Sequence, residues 1–325
     1  MRLIKPKNLS IFLFVIWTFL FFQVVIGADT RNRFVGSHTC SKCHESLFIG
    51  WRKSSHAQLV DGIEDDKKKC LPCHSTGMIY EADQPIERVV GCEACHGPGE
   101  SHIRNPQQTN IINPARLSFK RANDICFSCH STGITRDTKK EWPEGYKVGD
   151  NLSRIWQINY PDPNIATKEF FVSGFAKHAN MQGNEYMQTR MWQKNISCTA
   201  CHISHGSEYS GELVRDTQYS NALCLICHNP EIGIPPNPNE LSAHTHHPAI
   251  GSGSSCIECH MPLIKHIGSK VEKRSHRFKF ILPASHSYNK YEPNACLNCH
   301  KEKSTQWVIE TVRSWSHTEN DEKHK

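Results

Sequence analysis

The sequence predicts a mainly α chain with much irregular structure, few or no strands, and a core stacked from bound cofactors. Three observations lead there. All 16 cysteines fall into eight Cys-x-x-Cys pairs, and each pair is followed at once by histidine. Only 38% of the 325 residues are apolar, and the mean hydropathy is −0.54. Only about 40 residues serve each cysteine pair, too few to build a conventional apolar core around each one.

The eight motifs, numbered here in chain order, are Cys40/Cys43/His44, Cys70/Cys73/His74, Cys92/Cys95/His96, Cys126/Cys129/His130, Cys198/Cys201/His202, Cys224/Cys227/His228, Cys256/Cys259/His260 and Cys296/Cys299/His300. No cysteine is left over. Two thiols at this spacing can add to the two vinyl groups on one edge of a haem, and the histidine then reaches the iron as proximal ligand. Zinc knuckles, redox dithiols and disulfides also use paired cysteines, but none requires a histidine directly after each pair. With histidine at roughly one residue in fifteen, eight coincidences have a chance on the order of one in a billion. The expected cofactors are therefore eight c-type haems, and the expected fold is a multihaem cytochrome c with a haem-stacked core.

Residues 1–28 read as a secretory signal peptide. Arg2, Lys5 and Lys7 form a basic start, Leu9 to Ile26 is apolar, and the small residues Gly27 and Ala28 precede polar Asp29. The alternative is an uncleaved anchor, since the apolar stretch approaches a membrane span of roughly 20 residues. Either way the chain is expected outside the cytoplasm, in the periplasm or at the cell exterior, where bacterial c-type haem attachment takes place. Membrane contact is expected only through this segment, if it is uncleaved.

The formal net charge of +6 is misleading. Three positive charges leave with residues 1–28, giving about +3. Each ferric haem brings roughly one net negative charge through its propionates, so the holoprotein falls to about −5 oxidised and about −13 reduced. Nucleic-acid binding is excluded as a reading of the basic balance.

The first cysteines of successive motifs are separated by 30, 22, 34, 72, 26, 32 and 40 residues. The long interval divides the chain into a four-haem N-terminal module (34–135), an ordered connector (136–171), a four-haem C-terminal module (172–315) and a flexible tail (316–325). The connector carries Trp142-Pro143 and Tyr160-Pro161-Asp162-Pro163, which is turn chemistry and argues against one long helix. Helices are expected over Cys43–Gly62, Asn184–Lys194 and Thr305–Trp315, with a short turn at each motif.

Thirteen of the 21 histidines are not proximal. A haem with two histidines is closed to substrates, whereas a five-coordinate haem can bind small molecules, so these thirteen separate carrier from enzyme. Local context selects His56, His102, His178, His205 and His276 as sixth ligands, together with two from the Ala-His244-Thr-His246-His247-Pro cluster, His244 and His247 for preference. For the eighth iron the candidates are His246, His38 and His317, or Met181, or an open position. His266, His286 and His324 are not assigned.

Val90-Gly-Cys-Glu-Ala-Cys-His-Gly-Pro-Gly-Glu-Ser-His102 resembles the signature of the cytochrome c-554 type of multihaem cytochrome, which implies that His102 is an axial ligand. Cys198–Gly206, Asn221–His228, Cys256–Pro262 and Pro293–His300 resemble doubled Cys-x-x-Cys-His modules. The superfamily includes hydroxylamine oxidoreductases and other octahaem enzymes, and the resemblance implies stacked and perpendicular haem pairs in a continuous array. The chain departs from the reductases in having no Cys-x-x-Cys-Lys motif. The leading expectation is thus an electron carrier between a redox-protein donor and acceptor, with no catalytic residue. The alternatives are a reductase or oxidase of a small nitrogen or sulfur compound at one five-coordinate haem, and a homo-oligomer or filament in which His38 or His317 ligates the next protomer.

Overall fold

The computed structural model describes residues 33–58, 70–78, 85–217, 221–228, 238–267, 272–280 and 293–322. Residues 1–32, where the signal peptide is expected, and the positions of His286 and His324 lie outside them. Residues from Phe34 onward form one compact unit. The unit is mainly helical, with short helices, long irregular connections and two small sheets, as expected for its class. Among the described residues no helix is long and apolar enough to cross a membrane.

The helices are α1 (Ser37–Ser41), α2 (Glu45–Trp51), α3 (Leu71–His74), α4 (Cys92–His96), α5 (Glu100–Arg104), α6 (Phe119–Phe127), α7 (Gln182–Tyr186), α8 (Arg190–Gln193), α9 (Ala222–His228), α10 (Pro238–Thr245), α11 (Cys256–His260), α12 (Ala295–Cys299) and α13 (Thr305–Glu322). Seven of them, α1, α3, α4, α6, α9, α11 and α12, carry a motif or part of one. Such brevity follows from the motif itself, in which one turn sets two thiols on a common side and no apolar face is left to extend.

Two of the three longer helices expected from the sequence are broken. Over Cys43–Gly62 only α2 is continuous, because Ser54 turns extended (φ −77°, ψ 160°) and begins a single 3-10 turn at Ser55–Ala57. The N–H and Oγ of Ser55 donate to Glu212 Oε1 at 2.8 and 3.0 Å, so the break is held from outside the helix. Over Asn184–Lys194 the chain makes α7 and then α8, separated by Thr189, whose extended backbone and hydroxyl accepting from Trp192 N–H form an N-cap. The third runs further than expected, from Thr305 to Glu322.

Strand β1 (Gly133–Thr135) pairs antiparallel with β2 (Trp156–Ile158), with Gly133 opposite Ile158. A Cβ at Gly133 would stand 2.3 Å from the Gln157 carbonyl oxygen, so only glycine permits this approach. Strands β3 (Leu263–Ile264) and β4 (Lys273–Arg274) make a second antiparallel pair.

The largest side-chain core joins the connector to both motif-bearing regions. Phe127, Tyr146, Leu152, Trp156 and Tyr186 are buried together, with Trp192, Cys126 and Cys198 packed against them. Several polar groups in and around it are paired. Trp156 Nε1 donates to Ser131 Oγ, Leu152 N–H to Asp124, and Cys198 N–H to Asn123 Oδ1. The last bond spans the 72-residue interval and ties motif 4 to motif 5.

Candidate haem-ligating centres

Six motif histidines have a second histidine facing them. His44 lies 6.3 Å (ring centre to ring centre) from His102, His96 6.0 Å from His205, and His202 6.1 Å from His276. His244 is 6.2 Å from His260, His247 is 6.0 Å from His300, and His56 is 6.1 Å from His130. Four of these pairs are near parallel, at 5° to 21°, while His247–His300 is tilted by 32° and His56–His130 is near perpendicular at 73°. A ligating imidazole nitrogen sits about 2 Å from its metal, so two rings sharing one iron have centres about 6 Å apart. The residues fit the cofactor on this test: the spacing is too wide for ring stacking and right for an ion between the rings.

Tautomers agree. The Nδ1 atoms of His96, His102, His202, His247 and His276 lie at 2.6–3.1 Å from backbone carbonyl oxygens, of Ile112, Gln107, Gly211, Thr245 and Arg274 respectively. A carbonyl only accepts, so each Nδ1 carries the proton and Nε2 keeps its lone pair for a metal. His130 Nδ1 is placed likewise on Gln182 Oε1 at 3.1 Å. Burial pushes the pKa values of His56, His96, His130 and His260 below the ordinary value of 6.5, and that of His276 down to about 4. These rings are therefore neutral, the form that ligates.

The paired histidines come from recognisable local devices. Gly99 starts α5, which carries His102. His244 ends α10, and the chain then passes through His246 in the left-handed region (φ 55°) before His247, so the two rings meet different motifs. The ring of His246 itself stacks on Trp315 at 4.1 Å and 8°. His276 is fixed through its backbone, since buried Glu185 accepts its N–H (2.6 Å), the Ser275 hydroxyl (3.0 Å) and Ala176 N–H (2.9 Å). Spacing alone did not mark Glu185, which lies 91 residues from the ligand it holds.

The other candidates are placed elsewhere. His178 neighbours His266, held there by the Ile267 N–H bond to the Lys177 carbonyl, and neither ring faces a motif histidine among the described residues. His266 is buried, its pKa is lowered to about 4 chiefly by burial, and its Nδ1 has no hydrogen-bond partner. His38 packs edge-on to Phe48. Met181 is buried against Phe170 and Ala176, apolar neighbours that explain it without a metal. The side chain of His317 lies outside the described set. His74 and His228 have no facing histidine among the described residues.

The attachment cysteines approach one another in a definite order. The thiols of Cys40 and Cys92, Cys73 and Cys129, Cys126 and Cys198, and Cys224 and Cys256 lie close enough to act on each other. In each pair the neighbouring thiol, with burial second, raises one thiol pKa (Cys40, Cys73, Cys198, Cys224), while the same neighbour lowers the other. Cys95 also feels Cys126 and Cys129, Cys201 feels Cys227, and Cys259 feels Cys296. The motifs therefore adjoin in the order 1–3–4–5–6–7–8, with motif 2 beside motif 4.

Comparisons with known proteins agree with this geometry. The family described as cytochrome c554 and c-prime matches residues 39–97, and the doubled CXXCH motif family matches 84–134 and 193–233. Cytochrome c-554 of Nitrosomonas europaea is 28% identical over 30% of this chain and 57% of its own. The multiheme cytochrome MtrA of Shewanella baltica is 22% identical over 59% of this chain and 51% of its own. The chain thus spans about half the length of the curated relatives it matches. In fold it is similar to the outer cell wall cytochrome OcwA, with a TM-score of 0.67 at 18% identity, covering 88% of this chain and 87% of that one. Matched families over motifs 1 to 6, a shared multihaem cytochrome fold, and histidine rings spaced for iron lead to one conclusion: the chain is a multihaem c-type cytochrome.

Proposed function

We infer that the chain carries eight haems and passes electrons between redox-protein partners outside the cytoplasm. The observation that carries this reading is the set of six histidine pairs at 6.0–6.3 Å, together with the unbroken succession of attachment cysteines. Each c-type haem supplies an iron that exchanges one electron between its ferric and ferrous forms. The protein's part is to keep the ligand set unchanged in both. A ring whose Nδ1 is tied to a carbonyl does not turn away, and in the His202–His276 pair both rings are held in this way. The order of attachment cysteines supports a route from motif 1 to motif 8, with motif 2 as a side branch. Export is supported by the basic, apolar and small-residue succession of residues 1–28.

The test is an intact mass together with electron paramagnetic resonance of the oxidised protein. Eight attached haems and at least six low-spin signals are expected. Fewer attached haems, or mainly high-spin iron, would overturn the reading.

A second reading has its own observation. His74 and His228 lack a facing histidine among the described residues, so an iron at motif 2 or motif 6 is a candidate for binding a small nitrogen or sulfur compound. Adding nitrite, cyanide or hydroxylamine to the same sample decides it. Signals that none of them perturbs would leave the plain carrier.

A further inference from the structure

The middle of motif 3 contains a carboxylate that the carrier reading leaves without a role. Glu93, between Cys92 and Cys95, is 1% exposed. Its Oε1 accepts the Gly99 N–H at 2.7 Å, its Oε2 accepts the Gly36 N–H at 2.8 Å, and the Val35 N–H is shared between both oxygens at 2.9 and 3.0 Å. Gly36 is the N-cap of α1 and Gly99 the N-cap of α5, and neither helix has a side-chain cap of its own. A negative charge at two helix N-termini satisfies orphan N–H groups and opposes the positive ends of both dipoles.

These two helices share one further property. Helix α1 carries Cys40 and ends three residues before His44, which is the N-cap of α2, while α5 carries His102; His44 and His102 face each other at 6.3 Å. Both ends of one axial pair are thereby referenced to a single carboxylate, which itself rides on the motif-3 helix. Close packing enforces the arrangement: a Cβ on Gly99 would come within 3.2 Å of Glu93 Oε1. A parallel link runs beside it. Glu87 accepts the N–H and the hydroxyl of Ser37 at 2.9 and 2.7 Å, and Ser37 Oγ in turn accepts the Cys92 N–H at 2.9 Å.

We propose that Glu93 is a positioning residue for the motif-1 iron, holding His44 and His102 opposite each other by capping the short helix that leads to His44 and the helix that carries His102. The proposal rests on the reading that these two histidines ligate one iron. An asparagine or serine N-cap serves only its own helix and would not link the two, and Gly36 at φ 80° disfavours any side chain there. One carboxylate with two acceptor oxygens does both.

The experiment compares wild type, Glu93→Gln, Glu93→Ala and His102→Ala as full-length holoproteins, by intact mass, electron paramagnetic resonance and cyanide titration. Glutamine keeps the volume and one acceptor, but sets an NH2 against the Gly36 or the Gly99 N–H. The expected result is an unchanged haem count in every variant. Glu93→Ala should lose one low-spin signal and take up about one extra equivalent of cyanide per chain, with Glu93→Gln intermediate. The double variant Glu93→Ala/His102→Ala should look like His102→Ala alone. Unaltered signals and cyanide uptake in Glu93→Ala would overturn the proposal. So would loss of attached haems in Glu93→Gln, which would mark Glu93 as a general folding residue. Exposed Glu141, changed to glutamine, controls for removing a charge. A His102→Ala variant indistinguishable from wild type would instead overturn the ligand reading beneath it.

Discussion

A histidine bonds iron only through an unprotonated nitrogen, and proton and metal therefore compete for Nε2. Burial decides that competition here by holding rings such as His56, His130 and His276 below the ordinary pKa. His276 is the extreme case, moving from 6.5 to about 4 chiefly through burial, with His202 and His130 nearby adding to the shift. The consequence for pH has a definite sign. A group whose pKa is lower in the folded than in the unfolded state binds its proton more readily when unfolded. Its stabilising contribution is complete above 6.5 and is lost as pH falls toward 4. Thermal midpoints should thus be flat from pH 7 to 8 and should decline below about 6.5, low-spin absorbance being lost over the same window. A midpoint independent of pH between 7 and 4 would count against buried neutral rings as structural supports.

Short helices, each closed by a specific residue, are the elements that aim the rings. What was legible in the sequence at this scale was the part that covalent chemistry dictates: Cys-x-x-Cys-His needs one turn, and a turn is found at each motif. Less legible were the breaks. The helices expected over Cys43–Gly62 and Asn184–Lys194 ran through Ser54 and Thr189, but Ser54 turns extended beside Ser55, which binds Glu212 157 residues away, and Thr189 folds back onto the Trp192 N–H. One break depends on a distant partner and the other on a hydroxyl that a helix interior would equally tolerate. Removing the hydroxyl in Thr189→Ala should cost about 1 kcal/mol in thermal or denaturant unfolding and leave the haem spectrum alone. Gly206 is a different kind of element boundary. It holds φ 94° and crosses Gly50 so closely that its Cβ would stand 2.1 Å from the Gly50 carbonyl oxygen. Gly206→Ala combines backbone strain with a steric clash one residue after His205, so it should destabilise by roughly 2–4 kcal/mol and disturb one low-spin signal as well. An unchanged unfolding midpoint would mean that the crossing can open without cost.

Across the whole molecule, the spacing of the motifs suggests two four-haem halves, yet the contacts that orient ligands cross between them. His205 follows motif 5 but faces His96 of motif 3, Cys198 N–H is held by Asn123 beside motif 4, and Glu212 receives the loop that carries His56. His205 was identifiable from its place three residues after a motif histidine; its partner was not, because which ring it meets depends on the Gly50–Gly206 crossing. His178 shows the converse, a favourable local context whose folded neighbour is His266. Motif 3 adjoins motif 1 through Cys40–Cys92 and motif 4 through Cys95, so every connection from motif 1 onward passes it. His205→Ala therefore tests the assembly as well as the pair. All haems should remain attached, one low-spin signal should disappear, and the freed position should bind about one equivalent of cyanide. Because a histidine ligand holds an iron at low potential, that site should also shift upward in a potentiometric titration, trapping electrons midway along the array. Reduction of the remaining haems by a slow donor should then become biphasic. If the variant keeps every low-spin signal and reduces in a single phase, the ring pair across the two halves is not an axial pair, and the route through motif 3 fails with it.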